Sequence, residues 1–426
     1  MYRVNHLSES MQVNLGSATT ATPLAQKVAQ ARAGTDVLFD LVRPEAFYER
    51  PVPERHRIIF YFGHLEAFDW NLIGQAAGVP SFHPDFDRLF AFGIDPKSGQ
   101  SPQDERADWP EIAEVQQYNA QVRQILEAVS GRIPEQILSV ALEHRLLHAE
   151  TFAYLLHQLP ITEKHCPLVV SPSPPSPPPL HSMIEVPAGT VTLGQSREQA
   201  DSRDLFGWDN EFDSHAVSVG AFAMSKYKVT NDEYLKFVQA GAKPPHFWTR
   251  HGGQWYWRGM WEEIPLPLDW PVYVTHEEAR AFAGWRGKRL PTEAEFHRAA
   301  YGTLHGEEER TYPWGEDQPD RRRGNFDSQR WDPVSVTATP LGDSAFGISQ
   351  LVGNGWEWTS TVFQPFPGFR PYPFYPGYSA PFFDGEHYVL KGASPRTDAR
   401  LLRRSFRNWF RPSFPYVYAG FRCVEV

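Results

Sequence analysis

"PEQILSVALEHRLLHAETFAYLLHQL", residues 134–159, has the pattern of one long amphipathic helix and carries a pair of histidines. Its apolar residues recur at spacings of three and four, Pro134 stands in the favoured first turn, and a proline follows the end. Four residues on a helix correspond to about 40° of net rotation and roughly 6 Å of rise, so His144 and His148 point to one side. The segment therefore predicts a helix that can chelate one metal ion.

The residues around this pair limit the kind of metal site. Glu150 lies about 200° around the helix from His148, which favours a supporting or structural role over ligation. Arg145 occupies the place where zinc proteases carry a glutamate, so that signature is missing. A third ligand must come from another helix, and "YFGHLEAFDWN" (61–71) places His64 within an apolar segment. The residues alone leave two alternatives open, a metal site and hydrogen-bonded core histidines.

Three neutral imidazoles would leave three adjacent positions of an octahedral ion open. This arrangement suits Fe(II) chemistry with O2 and two substrate groups. Because the protein donates no negative charge to such a site, an anionic thiolate or selenolate substrate would supply it. If the histidines hold a metal, Fe(II) is therefore the cofactor that we expect.

The chain around this helix divides by composition. Amphipathic patterns over 23–42, 57–77 and 110–130 add three helices, which predicts an antiparallel four-helix bundle. "SPSPPSPPP" (171–179) has the composition of an extended spacer. We predict a loose N-terminus over 1–22, a four-helix bundle that carries the iron ligands over 23–165, a Pro-rich linker over 166–182 and a second domain over 183–426.

The second domain differs in character from the bundle. Twelve of the 14 tryptophans lie beyond Met183, among many glycines and prolines. "MIEVPAGTVTLGQ" (183–195) predicts a hairpin of short strands. "TNDEYLKFVQAG" (230–241) and "THEEARAFAGWRG" (275–287) predict two short helices, each capped by its threonine. These patterns predict an α+β domain held together by buried aromatic residues.

Length, charge and cysteine usage narrow the class of protein. The chain has 426 residues and a formal net charge of −10, which predicts two domains and disfavours nucleic-acid or anionic-membrane surfaces. Only two cysteines are present, too few for a disulfide framework, as expected in a reducing cytosol. The N-terminal stretch lacks a signal-peptide core, and no run of about 18 apolar residues occurs. We expect a cytoplasmic protein with neither nucleic-acid nor membrane partners.

Seven motifs of the second domain together resemble one family. They are "FGWDNEF" (206–212), "YKVTNDEYLKFV" (227–238), "RLPTEAEFHRAA" (289–300), "YPWG" (312–315), "LVGNGWEWTS" (351–360), "SFRNWFRP" (405–412) and "AGFRCV" (419–424). The pattern resembles the sulfatase-modifying-factor family, whose fold is a variant of the C-type lectin fold. With "HRLLHAE" in front, the whole resembles the ergothioneine-biosynthesis sulfoxide synthases and the related selenoneine synthases. The resemblance implies an α+β protein of two domains, a DinB-type N-terminal four-helix bundle and a C-type-lectin-like, formylglycine-generating-enzyme-like domain.

The resemblance also implies an activity. Members of this family are non-haem iron enzymes that use O2 to join sulfur or selenium to C2 of the imidazole of hercynine, which is Nα-trimethylhistidine. It implies that His144 and His148 ligate iron, with His64 as the third ligand. This agrees with the helical geometry, in which Glu150 is not a ligand.

Further site residues follow from the same resemblance. In "FYPGYS" (374–379) we expect Tyr375 to donate a proton during O2 reduction and Tyr378 to form a wall of the substrate pocket. In "FRNWF" we expect Asn408 to hydrogen-bond the hercynine carboxylate and Trp409 to offer its π-face to the trimethylammonium group. The alternatives are loop aromatics for the tyrosines and a core position for the tryptophan.

The chain departs from the mycobacterial-type enzymes, which use γ-glutamylcysteine, at the donor clamp. Those enzymes carry an acidic residue directly after Asn-Trp and a basic residue four positions on, where this chain has Phe410 and Phe414. A Gly-Ala-Ser-Pro stretch (392–395) also replaces the common Gly-Gly-Ser-Trp. We therefore expect another donor, a seleno-sugar, which would make the chain a selenoneine synthase; cysteine is the alternative.

Other classes of function are less favoured by the residues. Formylglycine-generating oxidases need a cysteine pair near the C-terminus, but Cys423 has no neighbouring partner and Cys166 precedes the linker. Ovothiol-type synthases usually carry an additional methyltransferase domain. A non-catalytic lectin-fold binding protein is the main contrast, and the three intact histidines argue against it.

Overall fold

The computed structural model describes residues 22–91, 102–167, 177–198, 200, 206–304 and 308–425. Two predicted segments lie outside the described residues. They are the loose N-terminus, except its last residue, and the central part of the linker, 168–176. The helices, in chain order, are α1 (Pro23–Phe39), α2 (Ile58–Asp69), α3 (Gln75–Ala77), α4 (Pro84–Leu89), α5 (Ile112–Val129), α6 (Glu135–Gln158), α7 (Asn231–Gln239), α8 (His276–Trp285) and α9 (Glu293–Tyr301).

The N-terminal region is the expected helical bundle. Its four long helices are α1, α2, α5 and α6; α1 packs against α6, and α2 packs against α5. Helix α2 continues through a π-helical turn, Trp70–Gly74, into α3. Pro134 is the N-cap residue of α6 rather than its first helical residue. No helix in the described ranges is both long and apolar enough to span a membrane.

The second domain contains short strands in several small sheets. The strands are β1 (Met183–Val186), β2 (Gly189–Leu193), β3 (His215–Val219), β4 (Phe222–Ser225), β5 (Trp248–His251), β6 (Gln254–Arg258), β7 (Glu263–Pro265), β8 (Lys288–Arg289), β9 (Gly355–Val362), β10 (Tyr388–Ala393), β11 (Asn408–Phe410), β12 (Ala419–Gly420) and β13 (Val424–Glu425). Two sheets have four strands, in the orders β1-β4-β13-β8 and β11-β10-β9-β12. The α+β prediction is confirmed.

The predicted hairpin over 183–195 is wrong in its pairing. Both strands exist, but β1 pairs with β4 and β2 pairs with β3, so they belong to different sheets. Pro187 breaks the run between them and its carbonyl accepts a hydrogen bond from Arg298 of α9. Alternating hydrophobicity identified the strands, whereas their partners depend on contacts distant in sequence.

The two predicted short helices are present as α7 and α8. Thr230 caps α7 and Thr275 caps α8, and each hydroxyl accepts a hydrogen bond from the backbone N–H three residues on. In both, a glutamate at that third position bonds back to the backbone N–H of the threonine. These reciprocal capping boxes satisfy backbone donors that the first helical turn would otherwise leave unpaired.

One apolar core continues from the bundle into the second domain. It includes Ile59 of α2 and Leu155 of α6 together with Trp356 and Trp358 of β9. Both tryptophans are buried. The face of α6 that carries the histidine pair therefore lies close to the second domain.

Candidate metal centre

His64 of α2 and the His144–His148 pair of α6 form one cluster. One ring nitrogen of each residue lies within 4.8 Å of the corresponding atoms of the other two. His64 and His144 are buried, and His148 is half-buried. The three expected ligands therefore come together from two facing helices.

The hydrogen bonds of these imidazoles fit a metal. His64 Nδ1 lies 2.7 Å from the carbonyl oxygen of Phe90, which fixes this nitrogen as the donor and leaves Nε2 with a lone pair. The Nε2 atom of His64, both ring nitrogens of His144 and Nδ1 of His148 are buried without a hydrogen-bond partner in the described residues. Burial lowers the pKa of His64 to about 4 and those of His144 and His148 well below the usual value. Neutral imidazoles with unused lone pairs are the form that binds a divalent cation.

Behind the cluster, Arg145 joins the two ligand helices. Its guanidinium lies 3.0 Å from Glu66 and 2.8 Å from Asp69, both on α2, and all three side chains are fully buried. Burial opposes ionisation, but the surrounding guanidinium groups lower the pKa of Glu66 to about 2. The position that excluded a zinc-protease signature thus holds an ion pair that fixes α6 against α2.

Glu150 faces the second domain rather than the cluster. Its Oε1 accepts hydrogen bonds from Trp356 Nε1 at 2.7 Å and Ser394 Oγ at 2.6 Å. Its Oε2 accepts one from Thr397 Oγ1 at 2.7 Å. The carboxylate is therefore an anchor between domains, in line with its position around the helix.

The loop 372–379 of the second domain, here called the tyrosine loop, reaches the cluster. The Tyr375 ring centroid lies 6.2 Å from that of His144 and 5.2 Å from that of Phe68, which stacks on His144. Tyr378 lies 5.7 Å from Tyr375 and 5.4 Å from Trp409. Aromatic contacts thus run without interruption from the histidines through both tyrosines to Trp409.

Asn408 and Trp409 lie on β11, where neighbouring side chains point to opposite faces. Trp409 stacks on Phe363 at 4.3 Å on the face that carries Tyr378. Phe410, which shares the face of Asn408, lies 6.4 Å from Tyr154 of α6. Because β11 is the edge strand of its sheet, Asn408 and Trp409 lie on opposite faces of that edge.

Phe410 and Phe414 form an aromatic pair next to the bundle. Phe410 and Phe414 stack with ring centroids 5.3 Å apart, and both lie close to Tyr154. The guanidinium of Arg55, from the bundle, lies 5.4 Å from the Phe414 ring centroid. This surface therefore offers flat apolar ring faces with a guanidinium beside them.

The segment 206–212 contributes site residues whose roles the motif alone did not indicate. Trp208 stacks on Tyr378 with centroids 3.8 Å apart. Asp209 accepts a hydrogen bond from Ser379 of the tyrosine loop at 2.5 Å. Glu211 binds Arg403, which also binds Glu143 of α6. The available signal was the cluster of charged residues in a motif otherwise rich in aromatics.

Asp209→Asn should change how stability depends on pH. Burial raises the pKa of Asp209 from 3.8 to about 6, so between these values the folded protein binds a proton that the unfolded chain does not. The unfolding free energy of the wild type should therefore fall, relative to the variant, by up to about 3 kcal/mol as the pH rises from 4 to 7. Denaturant titrations across this range test this, with the exposed Asp85→Asn as the control. Parallel curves for wild type and Asp209→Asn would contradict it.

The two cysteines differ in exposure, and neither belongs to the histidine cluster. Cys166 is exposed, whereas Cys423 is buried, and burial raises the pKa of its thiol to about 12. A buried, protonated thiol is a poor nucleophile and a poor metal ligand.

Comparison with known proteins gives relatives for both parts of the chain. Residues 170–426 match the sulfatase-modifying factor enzyme 1-like domain, and residues 27–159 match the DinB superfamily. A hercynine oxygenase of Mycobacterium tuberculosis is 39% identical over 236 residues, which cover 50% of this chain and 55% of that protein. Ergothioneine biosynthesis protein 1 of Neurospora crassa is 26% identical over 519 residues, covering 96% of this chain and 58% of that protein.

Among solved structures, PvdO from Pseudomonas aeruginosa aligns with a TM-score of 0.41 and 21% identity, covering 57% of this chain and 94% of PvdO. The chain spans only a little over half the length of the two curated relatives above. The sulfatase-modifying factor match covers more than half of the chain. The chain belongs to the sulfatase-modifying factor enzyme 1-like family, and its N-terminal part also matches the DinB superfamily.

Proposed function

We propose that this protein is a non-haem Fe(II) enzyme that uses O2 to join selenium or sulfur to C2 of the hercynine imidazole. Within that reaction we propose a seleno-sugar as the donor, which makes the protein a selenoneine synthase. The observation that carries the proposal is the cluster of three imidazoles with unused nitrogen lone pairs in contact with the tyrosine loop. The names of the relatives, a hercynine oxygenase and an ergothioneine biosynthesis protein, support the substrate.

His64, His144 and His148 would hold the iron. When bound, Fe(II) supplies open coordination positions and the electron transfer that O2 reduction requires. For a sulfoxide product the atoms balance: coupling C2–H with a thiol releases two hydrogens, one oxygen atom of O2 enters the sulfoxide, and the other leaves as water. A selenide product needs only the two-electron coupling of C2–H with a selenol, in which O2 takes up the two hydrogens and is reduced to hydrogen peroxide.

The surrounding residues suit the binding of hercynine and the delivery of protons. Trp409 can receive the trimethylammonium group on its ring face, Asn408 can donate to the carboxylate, and Tyr378 closes the wall between them and the cluster. Tyr375, whose ring centroid lies 6.2 Å from that of His144, can supply a proton. Burial, aided by the nearby Asp209, raises the pKa of Tyr375 above its usual value, so its phenol carries a proton at neutral pH.

Tyr375→Phe should lower turnover by about 100- to 10,000-fold, because it removes the proton donor while retaining the ring. Metal affinity should stay within about two-fold, since the phenol oxygen is not a ligand. Tyr372→Phe is the matched control on the same loop: its hydroxyl donates to the Gly207 carbonyl, and its loss should cost about 1 kcal/mol of stability and little activity. Turnover by Tyr375→Phe close to that of Tyr372→Phe would exclude Tyr375 as the donor.

Donor competition tests the selenium assignment. The Fe(II)-loaded protein would receive hercynine, O2 and equal amounts of selenoglucose and cysteine, with products identified by mass spectrometry. A selenium adduct in excess supports the proposal, and a cysteine sulfoxide alone would make the protein an ergothioneine-type synthase. No adduct from these donors or from γ-glutamylcysteine would refute C2 coupling and favour a non-catalytic binding protein.

The loss of the charged donor clamp is what favours the sugar. Phe410, Phe414 and Tyr154 offer ring faces on which the C–H groups of a pyranose can pack, and Arg55 can donate hydrogen bonds to hydroxyl groups. Phe410 and Phe414 occupy the two positions where the resemblance implies the acidic and basic residues of a γ-glutamyl clamp. Cysteine, which is small and zwitterionic, remains the second candidate.

A further inference from the structure

Helix α6 carries two buried carboxylates that flank the histidine pair. Glu143 directly precedes His144, and Glu150 follows His148 by two residues. Seven residues correspond to about two turns, so the two carboxylates lie on the same side of the helix. Each is bound by the second domain, which therefore holds the ligand helix at two points, one on either side of the histidines.

Arg403 makes the first of these attachments. Its Nη1 and Nη2 donate to the two oxygens of Glu143 at 2.7 and 2.9 Å. Its Nε also donates to Glu211 Oε2 at 2.8 Å, and Ser405 donates to the same oxygen at 2.6 Å. One guanidinium thus joins two carboxylates that come from different domains.

Glu211, the other carboxylate that Arg403 binds, connects this bridge to the tyrosine loop. Glu211 Oε1 accepts the backbone N–H of Trp208 at 2.9 Å. The indole of Trp208 stacks on Tyr378 and lies 6.4 Å from the Tyr375 ring. A continuous set of contacts therefore links Glu143, which directly precedes His144, to the Trp208–Tyr378 stack beside the Tyr375 ring.

We propose that Arg403 is a positioning residue that sets the placement of the histidine cluster relative to Tyr375. Only a planar guanidinium with several fixed donors can bind both carboxylates at once. A lysine keeps the charge but, as a single point donor, cannot hold both in this geometry. The inference rests on the proposed function for its kinetic test only, because metal binding can be measured without turnover.

Arg403→Lys tests the placement of the histidines through Co(II) binding to the metal-free protein. We expect Co(II) affinity about ten-fold weaker, with a shifted visible spectrum, because Glu143 and the adjoining His144 lose their fixed support. Arg422→Lys is the matched control: Arg422 is fully buried and binds both oxygens of Glu357, and its hydrogen bonds lie within the second domain. An Arg403→Lys protein with the Co(II) affinity and spectrum of Arg422→Lys would overturn the proposal.

If Arg403→Lys does not fold, Glu143→Gln replaces it, since Arg403 then keeps its bond to Glu211. The same ten-fold loss of Co(II) affinity is expected, and wild-type affinity would overturn the proposal.

A double-mutant cycle tests the connection to Tyr375. Arg403→Lys should lower kcat by about ten-fold or more in the wild-type background and by less than about two-fold in Tyr375→Phe, because its effect passes through the phenol. Equal losses in both backgrounds would show that Arg403 does not act through Tyr375. A wild type that forms no product refutes the proposed function, while the Co(II) measurement still decides the role of Arg403.

Discussion

Replacing His144 by alanine should remove Fe(II) binding and turnover while leaving the metal-free protein about as stable as the wild type. Loss of one of three ligands should weaken metal binding by more than about 100-fold. Stability should change by no more than about 1–2 kcal/mol, because the lost packing against Phe68 is offset by removing two buried nitrogens without partners. Iron content after anaerobic reconstitution and denaturant titration of the metal-free protein measure the two effects.

His157→Ala is the control on the same helix. His157 is as deeply buried as His144, but Nδ1 lies 3.0 Å from the Tyr418 hydroxyl and Nε2 lies 2.8 Å from the Arg258 carbonyl. Its loss should cost about 2–4 kcal/mol, because the buried imidazole and its hydrogen bond to the Arg258 carbonyl are lost while Tyr418 keeps only Ala153 as a partner, and should leave iron binding intact. The opposite pattern, with iron lost in His157→Ala and kept in His144→Ala, would refute the assignment of the cluster.

Replacing Arg145 by methionine should destabilise the protein by about 3–5 kcal/mol and also weaken metal binding. The change leaves Glu66 and Asp69 buried with less compensating charge, which is the costly way to break a buried ion pair. Because these carboxylates lie on α2 close to His64, helix α2 should move away from the His144–His148 pair. Guanidinium titration and Co(II) affinity measure both consequences.

Arg123→Met provides the comparison within the same network. Arg123 also binds Glu66 but is about one-third exposed, so solvent can replace its interaction. We expect a loss of about 1 kcal/mol and unchanged metal affinity. Equal effects of the two substitutions would contradict the view that the Arg145 ion pairs fix α6 against α2.

The sequence predicted the bundle and the histidine cluster because both depend on local patterns. Apolar spacing located α6, the four-residue spacing placed His144 and His148 on one side, and an apolar helix with a single histidine suggested His64. Threonine caps likewise located α7 and α8. In each case the physical cause lies within a few residues of the feature.

Features that depend on distant partners could not be predicted in the same way. The pairing of β1 and β2 was wrong because each strand finds its partner elsewhere. The bridge from Glu143 to Arg403 spans 260 positions of the sequence, and neither residue type alone indicates it. Helix geometry predicted that Glu150 points away from the histidine pair, but its three partners became visible only in the fold.

The most direct test of the central claim uses hercynine labelled with deuterium at imidazole C2. The Fe(II)-loaded protein would be mixed with this substrate, selenoglucose and O2, with the His144→Ala protein and an anaerobic sample as controls. The proposed reaction predicts loss of the deuterium and gain of selenium in the same product, only in the loaded wild type with O2. Retention of the deuterium in iron-loaded, aerobic wild-type protein would contradict the claim that this enzyme forms a bond at C2.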